Sequence, residues 1–156
     1  MKNLAQKTIQ KLLDKNYTMA TAESCTGGGI AYVLTDIAGS SAVIDRGFVT
    51  YSNQAKTDMV DVPESTLIKY GAVSEKVAKA MAEGALKNAK VDIAIAVTGI
   101  AGPGGATENK PVGLVHFGLA IKNKTLHEKH IFSGDRNEVR QQTIEKALNM
   151  IIKAIG

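Results

Sequence analysis

Ala20-Thr21-Ala22-Glu23-Ser24-Cys25-Thr26-Gly27-Gly28-Gly29 passes from small apolar residues into hydroxyls, one thiol and three glycines, and Ile30-Ala31-Tyr32-Val33-Leu34 follows directly. We read this as a strand, a tight turn and the first turn of a helix. Such a turn leaves backbone N–H groups without intrahelical partners at the positive end of the helix dipole. Glycine lets a ligand approach the backbone closely, so the bend suits an anion or a developing oxyanion. Ser24 stands at its lip as a candidate nucleophile. The plainer reading of the same residues is that Ser24 or Thr26 only caps the helix.

Working outward, Ala5, Ile9, Leu12 and Leu13 recur at helical spacing and predict an amphipathic helix over 3–15. Thr18 to Ala22 reads as a central strand, Gly28 to Asp36 as the helix after it, and Val43 to Tyr51 as a second strand. Ser52 is the expected N-cap of a short helix over 53–60, Pro63 opens another near 64–70 closed by Gly71, and Ser74 caps a third. Val91 to Thr98 is almost entirely apolar, as for a strand covered on both faces. Two further strands, over 112–121 and 125–132, flank Lys122-Asn123-Lys124, a hairpin. Asp135 and Glu138 have capping-box spacing at the head of a long final helix. This alternation predicts one domain over 1–156, an α/β/α sandwich in three layers on a mixed, mostly parallel sheet. In such sheets ligands lie beyond the carboxyl ends of strands. A second glycine-rich loop, Gly99-Ile100-Ala101-Gly102-Pro103-Gly104-Gly105, follows a strand too, so both loops are expected to flank one cleft.

Composition narrows the partners. The chain has 156 residues and a formal charge of +4, and its lysines are interspersed with acids rather than gathered into a block. Aromatic residues make up 4% and tryptophan is absent, which leaves little to stack on bases. Nucleic acid is therefore not the expected partner; a small anionic ligand is. No apolar run reaches the ~20 residues of a membrane span and no signal core follows Met1, so a cytoplasmic location without membrane contact is expected. The lone Cys25 excludes an internal disulfide and any multi-thiolate metal site.

The three histidines, His116, His127 and His130, all fall in the hairpin, away from the glycine loops. No zinc-binding H-E-x-x-H, no phosphate-binding G-x-x-x-x-G-K-[ST] and no G-x-S-x-G elbow is present. A reactive Ser24 then needs a base other than histidine, and a neutral lysine is the known alternative. Lys56 would lie near the start of the helix capped by Ser52, where the dipole and partial burial both favour the uncharged amine. Tyr51 could hydrogen-bond either partner. Arg136 and Arg140 are four apart on one helix face and could clamp a phosphate; surface pairing with Asp135 or Glu138 is the plainer role.

The run Ala22-Glu23-Ser24-Cys25-Thr26-Gly27-Gly28 resembles the opening signature of the CinA C-terminal domain, the nicotinamide-nucleotide amidohydrolase family. The resemblance continues through Gly39-Ser40-Ser41, Val49-Thr50-Tyr51-Ser52-Asn53-Gln54-Ala55-Lys56 and Gly71-Ala72-Val73-Ser74. It extends over Thr98 to Gly105, Lys110-Pro111-Val112-Gly113 and Ser133-Gly134-Asp135-Arg136. It implies cofactor-free and metal-free hydrolysis of nicotinamide mononucleotide, or a related pyridine nucleotide, to nicotinate mononucleotide and ammonia. It further implies Ser24 as nucleophile, Lys56 as base, assistance from Tyr51, and a cytoplasmic bacterial homodimer. Larger members of the family carry an additional N-terminal domain.

Combined with the bottom-up reading, the N–H groups around Thr26, Gly27 and Gly28 become the oxyanion hole. Thr98, Gly99 and the loop through Gly102 to Gly105 wall the nucleotide pocket, and Arg136 with Arg140 holds the phosphate. Two rivals stand beside this. Cys25, the intrinsically better nucleophile, could act if a helix N-terminus lowered its pKa. The cleft could also be a non-catalytic, phosphate-binding regulatory module, since anion and oxyanion sites use the same N–H groups.

Overall fold

The doubly covered strand forms β3 (Ile93–Gly99) at the centre of a five-stranded sheet, and the computed structural model describes all 156 residues around it. The others are β1 (Met19–Glu23), β2 (Ile44–Val49), β4 (Leu114–Ile121) and β5 (Lys124–Ile131), in the order β2-β1-β3-β4-β5. β1 is parallel to both β2 and β3, β4 is antiparallel to β3, and β5 is antiparallel to β4. Four strands therefore share one direction and only β4 is reversed, so the sheet is mixed and mostly parallel.

Helices cover both faces. Against one lie α1 (Lys2–Lys15), α2 (Gly29–Thr35) and α6 (Arg136–Ile155), which meet the sheet in a core of 22 buried residues including Leu12, Ile30, Ile95, Phe117 and Ile151. Against the other lie α3 (Asn53–Val60), α4 (Glu64–Tyr70) and α5 (Glu75–Ala89), over a smaller core that includes Val60, Val77, Met81, Ala94 and Ala96. The small sheet residues on this side let α5 come close. A side chain at Gly118 would run into the Ala78 carbonyl of α5, and one at Gly84 of α5 into the Val60 carbonyl at the end of α3. Backbone contact at Gly84 thus fixes α3, the helix that carries Lys56.

Most helix ends follow their sequence signals. Ser52 Oγ accepts from the Ala55 N–H at 3.0 Å, Ser74 Oγ accepts from the Val77 N–H at 3.3 Å, and Asp135 and Glu138 complete a capping box. Strand edges differ by a few residues. β2 ends at Val49 rather than Tyr51, because the chain must turn into α3. β4 begins only after Gly113 (φ 91°), whose N–H is drawn out of the strand to the Ile100 carbonyl at 2.7 Å. Because β1 and β3 pair in parallel, with Glu23 opposite Val97, their carboxyl ends deliver Ser24 and Thr98–Gly99 side by side. The exit of β2 delivers Tyr51 to the same edge. No helix is long and apolar enough to cross a membrane.

Candidate active site

Ser24 is the first residue beyond β1, yet its N–H still donates to the Val97 carbonyl at 3.1 Å, so the hydroxyl is anchored to the sheet. Lys56 reaches it from α3. The Lys56 side chain is 1% exposed and Ser24 9%, and the Nζ–Oγ distance is 3.1 Å. Nζ also lies 3.0 Å from the Thr50 carbonyl oxygen, with those of Tyr51 and Ser52 at 3.4 and 3.5 Å. A neutral amine has two N–H donors and one lone pair. Donation to the backbone carbonyls leaves that lone pair for the Ser24 O–H. Burial lowers the Lys56 pKa below its ordinary value.

Glu23 is the residue that organises the turn. Its carboxylate, 1% exposed, accepts from Thr26 Oγ1 at 2.6 Å, Thr21 Oγ1 at 3.2 Å and the N–H groups of Ile30 and Ala31 at 2.8 and 3.0 Å. The open donors expected at the start of α2 are therefore satisfied from inside the protein, and neither Ser24 nor Thr26 caps the helix; Gly28 is the N-cap residue. The Gly27 N–H is likewise engaged, by the Ser24 carbonyl at 3.1 Å. The N–H groups of Cys25, Thr26 and Gly28 donate to no protein group. Arg140 draws the turn toward α6, donating from Nε to the Cys25 carbonyl and from Nη2 to the Thr26 carbonyl, each at 3.1 Å.

The Ser24 hydroxyl opens into a cavity of about 220 Å³ lined by Tyr51, Asn53, Ala72, Thr98, Gly99 and Arg136 among others. Next to it lies a larger cavity of about 720 Å³ lined by Gly102, Gly134, Asn137 and Arg140 among others, with Ala101 and Arg136 common to both. Arg136 donates to the Gly102 carbonyl at 2.8 Å and to the Tyr51 hydroxyl at 3.2 Å. Tyr51 thus points its hydroxyl at Arg136, and only its carbonyl meets Lys56. Thr98 lines the Ser24 cavity with its hydroxyl donated to the Ala72 carbonyl at 2.9 Å. Gly105 lines neither cavity.

Cys25 is 7% exposed, and burial pushes its thiol up to about 12, with the Glu23 charge adding to the effect. A thiolate is the reactive form, so the neighbouring serine has the advantage here. The histidines stand apart. His116 Nδ1 lies 2.9 Å from His127 Nε2, and burial, with the adjoining His127, lowers His116 to about 4. No group of three or more His, Cys, Asp or Glu side chains is arranged to hold a metal ion.

The family model of the CinA C-terminal domain matches residues 1–155. The chain belongs to this family. It is 51% identical over 149 residues to a protein named nicotinamide-nucleotide amidohydrolase PncC in Escherichia coli K12, covering 95% of this chain and 90% of that one. A putative competence-damage inducible protein of Caldicellulosiruptor bescii is 49% identical over 152 residues, 97% of this chain, which spans only 37% of that relative's length. The solved structure of the competence/damage inducible protein CihA from Agrobacterium tumefaciens superposes with a TM-score of 0.95 at 49% identity, covering 99% of this chain and 94% of that one.

In this CinA-type domain the expected Ser24, Lys56, Thr98, Gly99 and Arg136 come together around one cavity, with Tyr51 at its mouth. Two residues were not singled out from sequence. Glu23 carried a usable signal, an acid directly after the small apolar run Met19-Ala20-Thr21-Ala22 at the end of a covered strand, which admits none without partners. Asn53 carried none, being one polar residue among several after Ser52.

Proposed function

We propose that this domain hydrolyses the carboxamide of nicotinamide mononucleotide, using Ser24 as nucleophile and Lys56 as base. Ser24 Oγ attacks the carboxamide carbon while Lys56 takes its proton. The tetrahedral oxyanion is received by the N–H of Cys25, which has no internal acceptor and belongs to the one turn residue beside Ser24 that lines the cavity. Collapse breaks the C–N bond, and the proton on Lys56 leaves with the nitrogen as ammonia. Lys56 then deprotonates a water that attacks the Ser24 ester, releasing nicotinate mononucleotide and restoring the hydroxyl.

The small cavity takes the reacting head group, and the larger one takes ribose and phosphate beside Arg136 and Arg140. Each arginine uses two of its five N–H donors on protein acceptors, which leaves the rest for phosphate oxygens. The observation that carries the reading is the buried amine 3.1 Å from the serine oxygen. A module that only held a phosphate would have no use for that costly burial. The relative named nicotinamide-nucleotide amidohydrolase supplies the substrate class. The reading includes a homodimer in the cytoplasm, testable by sedimentation and fractionation. Its experiment is incubation with nicotinamide mononucleotide and a strong chelator: equal amounts of ammonia and nicotinate mononucleotide support it, and binding without turnover refutes it.

A further inference from the structure

The cavity in front of Ser24 offers six polar side chains: Ser24, Tyr51, Asn53, Lys56, Thr98 and Arg136. Five have protein partners. Ser24 and Lys56 hold each other, Tyr51 and Arg136 hold each other, and Thr98 donates to the Ala72 carbonyl. Only the Asn53 carboxamide is uncommitted. It has no helix-end duty either, because Ser52 already caps α3. Asn53 and Lys56 are three residues apart on α3, and both line the Ser24 cavity, with Asn53 at its exposed mouth.

We infer that Asn53 is a specificity residue whose side-chain oxygen accepts an N–H of the substrate's carboxamide and holds the departing nitrogen toward Lys56. The inference rests on the amidohydrolase reading above and adds how an amide is told from an acid. Nicotinamide and nicotinate nucleotides differ only in that an NH2 donor in one is a carboxylate oxygen in the other. An acceptor placed at this point recognises the first and not the second.

The test measures binding by calorimetry in the Ser24→Ala background, where substrate is not consumed, with nicotinamide mononucleotide and nicotinate mononucleotide as probes. Asn53→Ala removes the acceptor and is expected to weaken the amide ligand about five- to tenfold, the worth of one hydrogen bond. Asn53→Asp keeps the acceptor and adds a charge. It is expected to bind the amide within about twofold of the Asn53 protein and the acid at least about tenfold more weakly. Asn53→Ala binding the amide as tightly as the Asn53 protein overturns the inference; ammonia release by the unaltered protein then leaves the amidohydrolase reading standing. Failure of the unaltered protein to release ammonia, with neither nucleotide bound, overturns both.

Discussion

Replacing Lys56 by Met separates chemistry from stability. The side chain is 1% exposed and methionine has nearly its shape, so the change removes the amine without opening a cavity. The base 3.1 Å from Ser24 Oγ is lost, and kcat/KM for ammonia release should fall about 10²- to 10⁴-fold, the usual worth of a positioned general base. Stability responds differently. Burial lowers the Lys56 pKa in the fold, so at intermediate pH the unfolded chain binds one more proton than the folded one. Stability therefore rises with pH, from the lowered folded value up to the ordinary lysine value near 10.4, by at most about 1.4 kcal/mol per unit. For a chain of this size that is about 3–5 °C in Tm per pH unit relative to Lys56→Met. The assay is a pair of melting curves from pH 7 to 10 beside an ammonia assay. The melting temperature of the unaltered protein should climb against that of the variant as pH rises, and its kcat/KM should rise on the acidic limb as Lys56 loses its proton. A Tm difference that stays flat, or a variant with undiminished turnover, refutes the neutral-amine argument.

Three further outcomes follow from the same geometry. Glu23→Gln turns an N–H toward the Ala31 N–H and should cost about 2–4 kcal/mol, with kcat falling as the Ser24 turn loosens, read by melting and by kinetics. Cys25→Ala should leave kcat/KM within about threefold, because a thiol pushed up to about 12 is protonated at any working pH. Gly84→Ala forces a methyl group against the Val60 carbonyl and should cost about 1–3 kcal/mol in denaturant melts, while moving α3 and slowing turnover.

The fold was legible because its signals are local and redundant. The apolar run of β3, the serine caps of α3 and α5 and the Asp135–Glu138 box each name an element and its ends. The pairing of Ser24 with Lys56 was legible in part, since the absence of a nearby histidine left few bases for the serine. What could not be read were the partners of exposed-looking polar groups. Arg140 holds the carbonyls of Cys25 and Thr26 across 115 and 114 residues of chain, and no spacing rule reaches that far. The helix end at Gly28 looked open because the acid that fills it, Glu23, precedes the turn and folds back over it. Tyr51 was expected at the dyad, yet its hydroxyl meets Arg136 because the turn from β2 into α3 directs the backbone carbonyl inward.

The central claim is that one hydroxyl, Ser24 Oγ, attacks the amide with help from the amine beside it. The most direct measurement is the rate of metal-free ammonia release from nicotinamide mononucleotide by Ser24→Ala against the unaltered protein. That rate should fall about 10⁴-fold or more with the folded structure intact. Turnover by Ser24→Ala within about tenfold of the unaltered protein would contradict that claim.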